Sequence, residues 1–136
     1  SPAAALELPD GTIVTGKTSS LLGAVSAVLL NAVKKLGGIP DDVHLISPTF
    51  IEPIQKLKTD YLGSKNPRLH TDEVLIALSM CAATDENARA ALMQLPKLAG
   101  CQLHTTVILS SVDMNTFKRL GIDVTNEAVY ENKGVM

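Results

Sequence analysis

The amino-acid sequence predicts an α/β fold, a three-layer αβα sandwich on a mixed sheet of about five strands with an N-terminal β-hairpin. Apolar runs of strand length alternate along the chain with longer segments of helical periodicity. Hydrophobic residues make up 46% and charged residues 19% of the 136 residues, enough for one core. We therefore expect a single domain over residues 1–130, followed by a polar tail at 131–136.

The first elements are a hairpin and a long helix. Apolar and polar residues alternate around Pro-Asp-Gly at residues 9–11, a turn signal, so strands are expected at residues 6–8 and 12–15. A helix follows over residues 21–36 and stops at the glycines 37–38. Because its apolar residues occupy almost every face, this helix should be covered on both sides, by the sheet and by something else.

One strand and three helices are predicted in the middle of the chain. The apolar run at residues 43–47 predicts a short buried strand that Pro48 ends. The helices are expected over residues 50–62, from a cap at Thr71 to about residue 83, and over residues 86–95. The polar loop between the first two of these helices separates them clearly.

The last elements complete the alternation. Consecutive Val107, Ile108 and Leu109 predict a strand over residues 105–111 that is buried on both faces. A helix over residues 115–120 and an edge strand over residues 122–130 are expected after it. The order of elements is that of cytidine deaminase-like folds, so we expect that topology, which by itself carries no chemistry.

Composition excludes several classes of function. The net charge of −2 and the 3% of aromatic residues leave neither a basic surface nor stacking side chains, so nucleic acid is not an expected partner. The longest apolar run is shorter than the roughly 20 residues that span a bilayer, so no membrane is expected. Two cysteines fit free thiols in a reducing compartment, which favours a cytoplasmic location.

The aliphatic excess indicates a surface that packs on something else. Mean hydropathy is +0.20 although the chain has no Trp, two Phe and two Tyr. The chain also starts at Ser1 without an initiator Met. We therefore expect a fragment of a larger protein, with an apolar interface toward the remaining domains or toward another copy in a homo-oligomer.

Residues 11–18 match the pattern G-x-x-x-x-G-K-[ST] of phosphate-binding loops. The four residues between the glycines are Thr, Ile, Val and Thr, which favour a strand over a flexible loop. P-loop-like nucleotide binding is therefore kept as an alternative only. A narrower hypothesis is that Gly16, Lys17 and Thr18, at a strand-to-helix junction, contact an anion.

Residues 66–73 contain the densest cluster of reactive side chains. Asn66 and Arg68 are candidate ligand-binding residues, because a guanidinium clamps phosphate or carboxylate. His70, Asp72 and Glu73 are candidate catalytic residues, because an imidazole beside carboxylates can act as an acid or base. The competing interpretation is that these residues only cap a helix.

No metal or cofactor is predicted. Cys101 and His104 are two potential ligands three residues apart, and His70 could be a third. The sequence nevertheless lacks the H-x-E with P-C-x-x-C strings of zinc deaminases and the H-E-x-x-H string of zincins. A structural role for Cys101 and a core position for Cys81 are expected instead.

Several strings together resemble an uncharacterised bacterial family of much longer proteins, a domain-of-unknown-function family. These strings are LPDGTIVTGKTS at 8–19, HLISP at 44–48, IEPIQKLK at 51–58, YLGSKNPRLHTDEVLIAL at 61–78 and VILS at 107–110. The resemblance implies the C-terminal part of such a protein and a deaminase-like three-layer subdomain. It implies no established activity; some relatives carry hydrolase or zinc-protease labels that this segment, without H-E-x-x-H, cannot support.

These observations combine into one leading hypothesis. The chain is interpreted as the C-terminal α/β domain of a cytosolic bacterial protein, in which residues 64–73 and 16–18 contribute to a site for a small anionic or phosphorylated ligand at a domain or subunit boundary. A purely structural or oligomerisation module without chemistry is the alternative. Whether the domain belongs to an enzyme is left open by the sequence.

Overall fold

The computed structural model describes residues 3–126 and forms a mixed α/β domain with four strands and five α-helices within that range. The strands are β1 (Ala3–Glu7), β2 (Ile13–Lys17), β3 (Gln102–Thr105) and β4 (Asp123–Asn126). The helices are α1 (Ala24–Leu36), α2 (Pro48–Lys56), α3 (Thr71–Ala82), α4 (Glu86–Leu92) and α5 (Ser111–Leu120). A π-helical turn, Leu57–Tyr61, extends α2, and a 3-10 turn, Leu95–Leu98, follows α4.

The sheet has the strand order β2-β1-β3-β4. Strand β1 pairs antiparallel with both β2 and β3, and β3 pairs parallel with β4. The predicted hairpin and the mixed character of the sheet are confirmed. The number of strands is four over the described residues, not about five.

Helix α1 is the centre of the fold. It packs on β1 and β2 on one side and contacts α3 and α4 on the other. Nine of its residues are buried: Ala24, Val25, Ser26, Val28, Leu29, Leu30, Ala32, Val33 and Lys34. The prediction that this helix is covered on both sides is confirmed. Its apolar faces are therefore buried inside the domain and do not form the interface that the composition suggested.

The order of layers differs from the predicted sandwich. Leu6 and Leu103 pair across β1 and β3 and are fully buried. The next pair along the strands, Glu7 and Gln102, belongs to the opposite face of the sheet and is exposed. Within residues 3–126 the helices cover this one face, so the sheet is an outer layer and α1 lies in the middle. The αβα sandwich and the deaminase-like topology are not confirmed.

Residues 43–47 are not a strand, and this removes one predicted element of the sheet. Leu45 and Ile46 are buried, but they belong to a loop. The Lys34 ammonium donates to the Asp41 carbonyl at 2.7 Å, which ties the start of this loop to α1. Leu45 and Ile46 are therefore buried without pairing to a strand. Ser47, which follows them, caps α2 by accepting a hydrogen bond from the Thr49 amide.

The third strand lies three residues earlier than predicted. β3 ends at Thr105, whose hydroxyl accepts a hydrogen bond from the Val107 amide at 3.1 Å and turns the chain away. Ile108 is 66% exposed, so the run predicted to be buried on both faces is a loop. The last strand is present at Asp123–Asn126; its predicted continuation to residue 130 and the tail at 131–136 lie outside the described residues.

Candidate anion-binding site

The loop before α3 meets the beginning of α1 at a cavity of about 220 Å³. Its polar lining includes Thr18, Asn66, Arg68, His70 and Asp113, while residues 107–109 form an apolar wall. Four of the residues singled out in the sequence are thus brought together, although Thr18 is 48 or more positions away from the other three. The cavity is therefore the candidate functional site.

Backbone contacts hold the loop against α1. The Leu69 amide donates to the Leu21 carbonyl at 3.0 Å, and a parallel bridge joins Leu22 to Leu69. The Ser26 hydroxyl, which is buried in the first turn of α1, donates to the Leu69 carbonyl at 3.0 Å. Because Leu69 itself is buried, its neighbours Arg68 and His70 are held at fixed positions beside the helix.

The N-terminus of α1 forms one wall of the cavity. Gly23 is its N-cap residue, and no side chain caps the helix. The first turn contains no acidic residue, and residues 23–26 line the cavity. The amides of a first turn lack helical partners and carry the positive end of the helix dipole. This wall is therefore suited to a negatively charged group.

Arg68 adds a positive charge to the same cavity. Its Nε donates to the Ser19 carbonyl at 2.5 Å, and its amide donates to the Asn66 Oδ1 at 3.1 Å. No carboxylate of the described residues lies within 4.0 Å of this guanidinium. The remaining donors of the fork are therefore not neutralised by an ion pair.

His70 lies beside a carboxylate from a different helix. Its Nδ1 lies 3.5 Å from the Asp113 Oδ2, and the imidazole remains 34% exposed. Asp113 is buried, and its Oδ1 accepts from the Thr71 amide at 2.9 Å and from the Thr71 hydroxyl at 2.7 Å. The carboxylate is therefore close enough to influence the orientation of the ring.

Glu73 and Asp72 have different surroundings. Glu73 accepts from the His70 amide at 2.8 Å and from the Lys58 ammonium at 2.8 Å, and the Lys58 side chain is 8% exposed. Lys58 also donates to the Arg68 carbonyl at 2.6 Å. Asp72 is exposed and accepts from the Glu73 amide. Both carboxylates therefore accept hydrogen bonds at the start of α3, and neither lines the cavity.

The pattern at residues 11–18 does not form a phosphate-binding loop. Residues 13–17 are strand β2, and Gly11 is the hairpin turn with a φ of 87°. Gly16 packs so closely on α1 that a Cβ would lie 2.4 Å from the Val28 nitrogen. Lys17 is exposed and does not line the cavity, so only Thr18 of this segment reaches it. P-loop-like nucleotide binding is accordingly not favoured.

The two cysteines are free and buried. Burial raises the pKa of the Cys101 thiol, and its Sγ lies 3.8 Å from the Lys97 carbonyl oxygen. Across residues 3–126, no three His, Cys, Asp or Glu side chains converge in a way that could hold a metal ion. None of the helices within residues 3–126 has the length and hydrophobicity of a transmembrane span.

Sequence reasoning missed Asp113, because the last helix was predicted to begin at residue 115. The helix begins at Ser111, and the Ser110 hydroxyl caps it by accepting from the Asp113 amide at 3.1 Å. The spacing Ser-x-x-Asp is a recognised signal for a helix N-terminus and could have revealed this start. The contact between Asp113 and His70, which lies 43 positions earlier in the chain, had no signal in the sequence.

Comparison with known proteins gives a family for the whole chain. Residues 1–136 match the family model described as Domain of unknown function DUF1846, C-terminal. A UPF0371 protein of Corynebacterium urealyticum is 64% identical over 98% of this chain and 27% of its own length. A UPF0371 protein of Streptococcus pyogenes serotype M5 is 50% identical over 96% of this chain and 26% of its own length.

The chain therefore belongs to the DUF1846 C-terminal family, and it spans about a quarter of the length of the curated relatives it matches. The predicted resemblance to an uncharacterised family of longer proteins is confirmed. No function is assigned to that family, so the chemistry of the cavity has to be argued from its own residues.

Proposed function

We propose that this domain of a DUF1846 protein binds a small anionic ligand, such as a phosphorylated or carboxylated metabolite, in the cavity at the N-terminus of α1. The observation that carries the proposal is the convergence of an uncapped helix N-terminus with the Arg68 guanidinium and the His70 imidazole. Helix dipole, backbone amides and a guanidinium all favour negative charge.

The charge of Asp113 does not oppose this assignment. Its Oδ1 is satisfied by the two donors of Thr71, and its Oδ2 faces His70. The carboxylate is thus already compensated by hydrogen bonds. Its role in the proposal is to orient His70, so that the ring nitrogen away from Asp113 is available to the ligand.

The volume of the cavity limits the ligand. Pockets for drug-sized molecules occupy about 300–1,000 Å³, whereas this cavity has about 220 Å³. A single anionic group with a short carbon skeleton fits that volume, and the apolar wall at residues 107–109 would contact the skeleton. A nucleotide would extend beyond it.

The test is a calorimetric titration of the full-length protein with inorganic phosphate and with small phosphorylated and carboxylated compounds. The double variant Arg68→Ala, His70→Ala should weaken binding by about tenfold or more, because it removes charge-assisted hydrogen bonds. The variant Lys17→Ala is the matched control, because Lys17 is a cation on the neighbouring strand outside the cavity.

Two results would contradict the proposal. One is binding that the double variant leaves unchanged, together with intact assembly, which favours a structural module. The other is a crystal of the full-length protein, soaked in phosphate, that has no density beside Arg68. Equal losses in Lys17→Ala and in the double variant would indicate general electrostatics instead of this cavity.

The ligand site is proposed to lie at a boundary of a larger cytosolic protein, with the remaining domains or another copy of the chain completing it. Two observations support this: the cavity opens to the surface beside exposed Ile108, and the relatives are nearly four times as long as the matched region. The two free buried cysteines fit a reducing compartment.

Proton transfer by His70 is a second candidate, favoured by its contact with Asp113 at 3.5 Å. An imidazole held by a carboxylate can accept and donate a proton during turnover. Asp72 and Glu73, the other predicted catalytic residues, have no such position in the cavity. If a panel of small phosphomonoesters yields turnover, His70→Asn should abolish it while phosphate still binds through Arg68.

A further inference from the structure

The sheet has one face that no described helix covers. Along β1, Ala4 and Leu6 point into the core and are buried, whereas Ala3 and Ala5 are half-buried and Glu7 is exposed. The same alternation holds in β3, where Leu103 and Thr105 are buried and Gln102 and His104 are exposed. We call the outward side the open face; it includes Thr15, Ala5, His104 and Thr125 from the four strands.

At the centre of the open face, Ala5 lies between Thr15 on β2 and His104 on β3. Ala5 pairs with Thr15 on β2, and Ala3 pairs with Lys17. Formal charges lie toward the ends of the strands, at Glu7 and Lys17, and not at the middle. The short side chains of Ala5 and Thr15 allow another layer to approach this part of the sheet closely, and the carboxylates and the ammonium at the strand ends can stay in contact with water.

The way the chain enters the sheet identifies what could cover this face. β1 is an inner strand, between β2 and β3. The matched region is the C-terminal domain of the family, and it accounts for 26–27% of the length of the relatives. In such proteins the preceding polypeptide joins the domain at the start of β1, so it is tethered within a few residues of the open face. Tethering gives a segment a high effective concentration at a nearby surface.

We infer that the open face is the docking surface for the polypeptide that precedes this domain in the full-length protein. The docked polypeptide would then cover the sheet on the side opposite to the helices of this domain. The inference depends on family membership and sheet geometry, and it is independent of the proposed anion site.

A competing surface lies between α3 and α5. Ile76 and Met80 are each 60% exposed on α3, and Ile76 and Val112 line an apolar groove of about 460 Å³. Nothing ties a particular occupant to that groove, whereas the open face adjoins the point of attachment. The two surfaces therefore make opposite predictions for the full-length protein.

The test introduces single cysteines into the full-length protein and measures maleimide labelling, with mass spectrometry to identify the labelled peptide. Thr15→Cys and Thr125→Cys probe the open face, and Ser79→Cys, an exposed position on α3, is the control. The native Cys81 and Cys101 are buried and give a low background. Each native rate is divided by the rate in denaturant, and circular dichroism confirms folding.

The expected result is that the open-face thiols react about tenfold or more slowly than the Ser79→Cys thiol, at every protein concentration. Equal rates at the three positions would overturn the inference, as would protection at Ser79→Cys alone. Protection of the open face that disappears on dilution would also overturn it, because a second copy would then be the occupant. Two open-face variants keep the test valid if one of them fails to fold.

Discussion

Residues 11–18 and residues 64–73 both approach the beginning of α1, and both contain groups that bind anions. Only the second segment supplies the main polar lining of the cavity. In the first segment, the amides of residues 13–17 belong to strand β2, and α1 occupies the space beside Gly16. The second segment is a loop whose side chains project beside an uncapped helix.

The difference shows that a binding motif requires available backbone as well as suitable residue types. Amides that are used in a sheet, or are covered by a packed helix, cannot cradle a phosphate. The second segment, by contrast, is held in place by Leu69 and by the ion pair between Glu73 and Lys58 of the preceding π-helical turn, which leaves Arg68 and His70 at the cavity. The following predictions test this division of roles.

The largest effect is expected from Gly16→Ala in the strand segment. The added Cβ would lie 2.4 Å from the Val28 nitrogen and 2.6 Å from the Ala24 carbonyl oxygen, so β2 would have to move away from α1. Overpacking against backbone should lower the free energy of unfolding by about 3 kcal/mol or more, measured by urea denaturation. Gly23→Ala is the control, because its Cβ would meet nothing within 4 Å.

If Gly16→Ala were as stable as Gly23→Ala, the strand would not be held to the helix at this position. Residues 11–18 would then be free to act as a loop, and the contrast between the two segments would be lost. The same denaturation curves give both values.

A smaller loss is expected from Lys58→Met, in the π-helical turn that supports the second segment. Lys58 is buried and bridges the Glu73 carboxylate and the Arg68 carbonyl. Removing one partner of a buried pair leaves the other uncompensated; because Glu73 keeps a quarter of its surface exposed, about 2 kcal/mol is expected. Lys65→Met, at an exposed lysine of the second segment, should change stability by less than about 0.5 kcal/mol.

Thr71→Val should cost less again. The variant removes the hydroxyl that donates to the buried Asp113 but keeps the shape of the side chain. A hydrogen bond to a charged group contributes about 1.5 kcal/mol or more, and the thermal midpoint should fall accordingly. Thr116→Val is the control, because its hydroxyl donates only within α5. Equal effects of the two variants would show that Asp113 does not depend on Thr71.

The smallest effect is expected at the hairpin turn, as a dependence on pH. A hydrogen bond from the Thr12 amide lowers the pKa of Asp10 below its ordinary 3.8. A lowered pKa means that the stabilisation is present above pH 3.8 and is lost as the pH falls through the folded-state pKa. When the pH is lowered below about 4, the urea midpoint of Asp10→Asn should therefore fall slightly less than that of the unchanged protein. An equal fall in the two proteins would contradict this.

Much of the fold could be predicted from local patterns. The hairpin, the all-round apolar helix and the start of α3 each have a signal within about ten residues, from turn residues, periodicity and caps. The predictions that failed depended on distant partners. Residues 43–47 have the composition of a strand but no sheet edge to join, and residues 107–109 turn away because Thr105 ends β3.

The candidate site was predicted in part for the same reason. Arg68 and His70 stood out because they are reactive side chains close together in sequence. Asp113, the uncapped end of α1 and the wall at residues 107–109 could not be connected with them, since those contacts join segments far apart in the chain. Lys17 and Glu73 were predicted as site residues from their side-chain chemistry alone. In the structure, Lys17 belongs to strand β2 and Glu73 forms an ion pair with Lys58.

By itself, the sequence determined the family, the α/β class, the central buried helix and the location of the polar cluster, because these depend on residue type and spacing. Only the tertiary structure decided that the sheet is an outer layer, that Gly16 packs on α1 and that His70 meets Asp113. Those features are set by which surfaces bury the most apolar area together, a property of the whole chain that no local pattern contains.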